Sequence, residues 1–310
     1  MPGMKVAIFA DETGWHTRQL QAALRARGAL GRCIDLADCH VDTAASWHGL
    51  VLPGFGRGLP DAALVRGIAG GSFEQVTKRL TVLHALRALG VAVYNDARAI
   101  ERSVDKAMTS LRLRAAGVPS PPTWATESLA QAQRIVTRDS ACGHALVLKP
   151  LFGSQGKGLQ RVGCVDGVHV PLPALGQDFG GLAYLQRFIA PQQQPGFDWR
   201  VLVIGGRAMA AMRRVSAHWV HNIAQGARPL PAVLTPALAQ VAERAAQALE
   251  LDYAGVDLMP AAGGEIQVIE VNGVAAWQGL QRVTPFNIAR TLVDDLFDRK
   301  LAQAGRARRA

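Results

Sequence analysis

The sequence predicts an α/β protein that opens with a small, doubly wound parallel sheet. Two observations carry this. Over residues 1–95, short apolar runs alternate with helix-length amphipathic segments, the pattern of strands joined by crossover helices. Much later, two apolar strands at 254–258 and 266–272 carry isolated polar groups, Asp257 on the first and Glu270 and Asn272 on the second. Strand side chains repeat every two residues, so Glu270 and Asn272 share one face. A second sheet with chemistry on one side is therefore expected.

Composition narrows the class. A chain of 310 residues can build two or three compact units. No apolar run approaches the roughly 18 residues of a membrane span. The opening apolar stretch is short and ends in Asp11-Glu12, so it reads as a buried strand instead of a signal peptide. A cytoplasmic protein without membrane contact is expected. The four cysteines have no zinc-type spacing, and Cys39-His40 finds no matching half; free thiols are expected. The net charge of +10 suits anionic ligands. Basic residues are scattered and aromatics amount to 6%, so nucleic acid is not an expected partner. The one basic cluster, at 305–309, reads as a solvated terminus.

Each element follows from its local pattern. Strands are expected at 5–10, 32–36, 49–52 and 91–94, with helices at 17–27 and 74–89. Ligands of such sheets bind beyond the carboxyl ends of the strands, where the loops 11–16 and 53–58 lie. The second loop is glycine-rich but lacks the Lys-Ser/Thr of a phosphate loop. One helix is expected over 97–116, because Gly117 supplies a C-cap and Pro119 forbids continuation. A stiff Pro-Ser-Pro-Pro connector follows. Next come a helix at 129–138, a strand at 145–150, a glycine-rich turn at 153–158 and a strand at 159–162. Strands at 184–189, 199–204 and 207–214 and a helix at 236–249 precede the polar strand pair.

Several groups in this order carry chemistry. A lysine ending a buried strand, Lys149, is costly unless it meets an anion. The glycines behind it allow backbone N–H groups to approach phosphates and allow the loop to close as a lid. Asp257, Glu270 and Asn272 on adjacent strands form a hard-oxygen set of the kind that holds Mg²⁺ together with a nucleotide. No serine or cysteine has a histidine placed for nucleophilic catalysis.

Taken in order, Asp105-Lys106, Val-Leu-Lys149, Gly-Ser-Gln-Gly-Lys-Gly at 153–158, Leu-Gln-Arg-Phe-Ile at 185–189, Asp198-Trp-Arg200, Gly-Val-Asp257 and Glu270-Val-Asn272 resemble the ATP-grasp ligases. The branch they resemble is the RimK-type α-L-glutamate ligases, including members that act on tetrahydromethanopterin. The resemblance spans nearly the whole chain. It implies an ATP-grasp fold: an N-terminal unit (1–95), a central lid (96–185), a C-terminal metal-binding unit (186–302) and the basic tail (303–310).

The resemblance also implies roles. Lys106 and Lys149 hold ATP phosphates under the glycine-rich turn, with Gly153, Ser154, Gln155 and Gly156. Gln186, Arg187 and Phe188 occupy the hinge that contacts adenine and ribose; Asp198 and Asn222 lie near the nucleotide. Asp257, Glu270 and Asn272 hold two Mg²⁺ ions, with Mn²⁺ as the alternative. Arg200 faces the transferred phosphoryl group, and Arg213 or Arg214 holds the acyl phosphate. Three positions depart from the family pattern. Arg187 stands where an acid is frequent, and Val220 where an arginine is usual. Residues 273–279 replace a small polar loop, so Trp277 is read with His16 as substrate-facing. The implied reaction is ATP- and Mg²⁺-dependent amide formation through an acyl phosphate. Its implied substrates are L-glutamate and an acidic acceptor, either a tetrahydromethanopterin-type cofactor or a protein C-terminus, and relatives are often homo-oligomers. Use of another amino acid, phosphotransfer, or nucleotide binding without catalysis are the alternatives.

Overall fold

A computed structural model describes residues 3–153 and 155–307. Ser154 and the end of the basic tail lie outside them. The chain begins with β1 (Lys5–Phe9), α1 (Trp15–Ala26) and β2 (Leu30–Ile34). A two-stranded antiparallel flap follows, β3 (His40–Val41) with β4 (Leu50–Val51), then β5 (Ala62–Val65), α2 (Phe73–Ala88) and β6 (Ala92–Tyr94). The parallel sheet has the order β2-β1-β5-β6. Val6 and Ile8 of β1 pack with Leu20 and Leu24 of α1, whereas Ala7 and Phe9 pack with Val82, Leu83 and Leu86 of α2. Helices thus cover both faces, the doubly wound arrangement. Two details differ from expectation. The strand expected at 49–52 belongs to the flap, and the sheet's fourth strand is β5, an unanticipated Ala-Ala-Leu-Val run.

The helix expected over 97–116 is two helices, α3 (Ala97–Val104) and α4 (Lys106–Ala115). Asp105 breaks it: its carboxylate accepts the N–H groups of Ala107 and Met108 at 2.9 and 3.0 Å, an N-cap for α4. The central unit then runs β7 (Thr123–Thr126), α5 (Leu129–Ala141), β8 (Ala145–Lys149), β9 (Gln160–Val165), β10 (Val168–Val170) and β11 (Ala183–Arg187). Its sheet, β10-β9-β8-β11-β7, is antiparallel throughout. It has its own core, in which Ala132, Ile135 and Val136 of α5 meet Leu146, Leu148 and Leu185.

The last unit contains β12 (Gly196–Ile204), β13 (Arg207–Ser216), β14 (Arg228–Pro231), α6 (Pro236–Ala248), β15 (Tyr253–Pro260) and β16 (Ile266–Asn272). These strands form an antiparallel sheet in the order β14-β13-β12-β15-β16. Val201, Val203, Val256 and Leu258 face α6. On the opposite face, Leu202, Ile204, Met212 and Tyr253 join α7 (Gln278–Gln281), α8 (Ile288–Asp295) and the α1 side of the parallel sheet in one apolar cluster. The chain closes with a widened turn, Leu296–Leu301, and α9 (Ala302–Ala307). Among the described residues no helix is long and apolar enough to cross a membrane.

Candidate active site

The remainder of that second face, turned toward the central sheet, is polar. Antiparallel pairing sets Asp257 opposite Glu270 and Gly255 opposite Asn272. A bulge after Asp257 leaves Ile269 as the extra residue beside Glu270. Pairing of β12 with β13 sets Asp198 opposite Arg214, and pairing with β15 sets Arg200 opposite Asp257. Asp198, Arg200, Arg214, Asp257, Glu270 and Asn272 therefore share a single face.

Asp257, Asp198 and Arg214 are 1%, 2% and 3% exposed, and buried charges persist only when paired. Arg214 donates Nε to Asp198 Oδ1 at 2.7 Å and Nη2 to Asp198 Oδ2 at 2.5 Å. The same Nη2 lies 2.9 Å from Asp257 Oδ2. Arg200 donates Nε to Asp257 Oδ1 and Nη2 to Asp257 Oδ2, the latter at 2.7 Å. Burial works to raise Asp257, but Arg200 and Arg214 outweigh it and hold the carboxyl below its usual range. Burial prevails at Asp198 and pushes it up to about 6 against the pull of Arg214. His221, close to this pair, is held down to about 4 by burial and by Arg214.

Two lysines reach this face from the neighbouring unit. Lys149, the last residue of β8, donates to Gln186 Oε1 at 2.6 Å. Lys106, the first residue of α4, donates to the carbonyls of Leu151 and Gly153 at 3.1 and 3.0 Å, tying down the start of the glycine-rich turn. Burial lowers both, Lys149 to about 8, and Glu270 is the acid that most opposes the shift in each. Glu270 itself accepts no hydrogen bond and forms no ion pair among the described residues. It is a free carboxylate close to two desolvated cations.

A cleft lies between the two sheets. Lys149, Gln186, Phe188, Asp198, Asp257 and Glu270 are among the residues that line it. Its mouth carries an aromatic cluster. Phe188 and Trp219 meet edge-on at 5.9 Å, and Arg161 lies 5.5 Å from the first ring and 5.7 Å from the second. The glycine-rich turn also touches this rim. Gln225 donates to the carbonyl of Gln155 at 3.3 Å. A Cβ on Gly156, whose φ is +72°, would lie 2.6 Å from Asn222 Oδ1 and 2.7 Å from Val220 Cγ1. Conformation and close approach both require glycine there.

Four expected residues stand elsewhere than their expected roles imply. Arg213 pairs with Trp199 and lies 5.7 Å from the Phe197 ring, on the sheet face opposite Arg214, so of the two arginines only Arg214 reaches the cleft. Arg187 lines the cleft but commits its guanidinium to Asp139, at 2.6 and 3.2 Å. Trp277 is 1% exposed inside the apolar cluster, so its ring offers no surface to a substrate. His16 accepts the backbone N–H groups of Trp277 and Gln278 on Nε2, at 3.1 and 3.2 Å, and its imidazole anchors that loop. Arg161, Trp219 and Asp139 were not anticipated. An aromatic three residues before Asn222 was the one signal for Trp219.

The residues present fit a hard divalent cation. Asp257, Glu270 and Asn272 supply carboxylate and amide oxygens, the donors Mg²⁺ takes. Asp257 Oδ1 accepts one hydrogen bond and keeps a lone pair, and Glu270 is free. The Asn272 side-chain nitrogen is buried without a partner; rotating the amide sets the oxygen there, which a cation would satisfy. Among the described residues no three His, Cys, Asp or Glu side chains gather in metal-binding range. All four cysteines are free.

Residues 4–100 match the model of the RimK PreATP-grasp domain, and residues 103–296 match that of the RimK-like ATP-grasp domain. The chain belongs to the RimK-like ATP-grasp family. This RimK-like ligase is an enzyme that forms C–N bonds. It is 30% identical to the tetrahydromethanopterin:alpha-L-glutamate ligase of Methanosarcina acetivorans, over 94% of this chain and 98% of that one. It is also 30% identical to a probable alpha-L-glutamate ligase of Hydrogenovibrio crunogenus, over 94% of each chain. The fold is similar to that of the ATP-grasp ligase PsnB, solved with a minimal precursor, Mg and ADP. There the TM-score is 0.70 at 21% identity, over 97% of this chain and 98% of that one.

Proposed function

We propose that this RimK-like ligase joins L-glutamate, through its amine, to a carboxylate of an acidic acceptor, using ATP and Mg²⁺. The acceptor class is a tetrahydromethanopterin-type cofactor or a protein C-terminus. The observation that carries the reading is the free carboxylate of Glu270, opposite Asp257 and close to Lys106 and Lys149. Relatives that are named glutamate ligases support it.

A carboxylate is a poor electrophile, so its oxygen first takes the γ-phosphoryl group of ATP, with ADP leaving. The glutamate amine then attacks the acyl carbon, phosphate departs and the amine loses a proton. Asp257, Glu270 and Asn272 would hold Mg²⁺, which when bound neutralises the phosphate charge. Lys149 and Lys106 hold phosphate oxygens, and Arg200 and Arg214 hold Asp257 in place until the nucleotide arrives. The glycine-rich turn and the Phe188–Trp219 rim exclude water, which would otherwise hydrolyse the acyl phosphate. On this reading the chain divides into an N-terminal unit, a central lid and a C-terminal metal-binding unit.

The test is Mg²⁺-dependent ADP release with L-glutamate and a panel of acidic acceptors, with mass spectrometry of the products. A glutamyl adduct is the expected product. ADP accompanied by a phosphoester, or by an adduct of another amino acid, overturns the glutamate reading.

A further inference from the structure

The parallel sheet reverses its winding between β1 and β5, since β2 and β5 lie on opposite sides of β1. Ligands of such sheets bind beyond the strand ends at this switch point. Arg66 is the first residue after β5. Its Nη1 donates to Tyr253 Oη and to the carbonyl of Ala275, each at 2.8 Å. Tyr253 in turn donates to the carbonyl of Val65 at 3.0 Å. The guanidinium is thus fixed in direction. Its Nε is buried without a partner, and Arg66 forms no ion pair among the described residues. A half-buried cation with an unpartnered Nε is unfavourable unless an anion completes it.

Two neighbours favour an anion at this point. His16 adjoins Arg66 and is neutral: burial, then the arginine, holds it down to about 4. α1 starts beside His16, with Gly14 offering no capping side chain and no acid in the first turn; Asp11, in the preceding loop, lies against Gly67. Arg66 also borders the reacting centre. Ala275, whose carbonyl it holds, would lie 2.9 Å from a Cβ on Gly255, and Arg200 Cδ would lie 3.1 Å from it. Arg66 and Arg200 therefore approach the segment 273–275 from two sides, and Arg200 is the arginine on Asp257.

We propose that Arg66 is a specificity-determining residue that binds a carboxylate of the amino-acid substrate, one that the reaction leaves unchanged. The bound carboxylate directs the amine toward the acyl group formed at the Asp257–Glu270 pair. This inference rests on the glutamate-ligase reading. Both carboxylates of L-glutamate survive amide formation at its amine, so either can be the partner of Arg66.

The experiment is calorimetric titration of L-glutamate into the full chain held with Mg²⁺ and AMPPNP. Arg66→Gln is expected to weaken glutamate about 10- to 100-fold, the worth of charge-assisted hydrogen bonds, with AMPPNP affinity unchanged. Tyr253→Phe removes one tether of Arg66 but not its charge, and is expected to lose less glutamate affinity than Arg66→Gln. Arg66→Lys keeps the charge without the fork and is expected to lose an intermediate amount. Equal glutamate affinity in wild type, Arg66→Gln and Arg66→Lys overturns the subsite, as does an equal loss in Tyr253→Phe. A wild type that binds AMPPNP but no glutamate overturns the glutamate reading itself. L-glutamine, lacking the γ-carboxylate, and 4-aminobutyrate, lacking the α-carboxylate, separate the two sources: the analogue whose binding is indifferent to Arg66→Gln has lost the carboxylate that Arg66 holds.

Discussion

Arg214 meets Asp198 through two parallel hydrogen bonds, Nε to Oδ1 at 2.7 Å and Nη2 to Oδ2 at 2.5 Å, in a setting where both residues are at most 3% exposed. The same arginine reaches Asp257, so one buried cation serves two carboxylates. Removing it leaves Asp198 uncompensated, and Asp257 with Arg200 alone. Arg214→Met is expected to destabilise the fold by about 3–5 kcal/mol, read by urea denaturation. A loss below about 1 kcal/mol, the range of exposed pairs, would sink the buried-network account.

Glu270 makes the opposite prediction. It bonds to nothing among the described residues, so its removal leaves no orphaned partner. Glu270→Gln is expected to retain stability and to lose ATP turnover by about 10³-fold or more. Thermal unfolding and Mg²⁺-dependent ADP release check the two halves. Retained turnover rules out a metal role for this carboxylate.

The lysine of β8 predicts a pH dependence. Burial lowers Lys149 to about 8, so the free protein loses this ammonium as pH rises through that value. A bound phosphate favours the charged form, so binding above that value takes up a proton. Nucleotide affinity is therefore full below about 8 and falls by up to about tenfold per pH unit above it. Lys149→Met should bind weakly at every pH and lose the slope. AMPPNP affinity measured across this range decides, and a flat wild-type profile contradicts the assignment.

Much of this site was legible because its rules are local. Period-two alternation alone puts Glu270 and Asn272 on one face, and Ile266–Asn272 is a strand with the expected bounds. What escaped depends on pairing. In Arg213-Arg214 only register with β12 decides which arginine faces Asp198; the dipeptide contains no such information. β5 is buried along its whole length, so it shows no alternation, and Pro60 just before it disguises its start. The α3–α4 break arises from a capping carboxylate at Asp105, a residue type that helices also carry on their surfaces. Trp277 reads as substrate-facing from sequence alone because the residues that close over it, Trp15 and His16, lie far away in the chain.

That burial has a measurable consequence. Trp277 fills core volume between Trp15 and His16, at centroid distances of 4.9 and 4.7 Å. Trp277→Ala is expected to lose about 3–5 kcal/mol of stability. Trp277→Phe should lose less and leave the KM for acceptor and amino acid unchanged. A KM change in Trp277→Phe without a loss of stability would return this residue to the substrate pocket.

The aromatic rim predicts a kinetic effect. Arg161 bridges Phe188 and Trp219 from the central sheet to the following one. Trp219→Ala removes one face of that contact and is expected to speed AMPPNP release about 3- to 10-fold. Stopped-flow displacement measures it, and an unchanged release rate means that the rim does not retain nucleotide.

The apolar cluster that joins α1 to the sheet of β12–β16 bears on how such enzymes can be re-engineered. Since Leu20 and Leu24 share one interior with Leu202, Tyr253 and Leu292, the N-terminal unit is not an interchangeable cassette. A chimera that swaps it between ligases inherits a mismatched seam unless both sides of that interior travel together. The central sheet, enclosed around α5 by its own residues, is the segment that recombination can exchange with the least repacking.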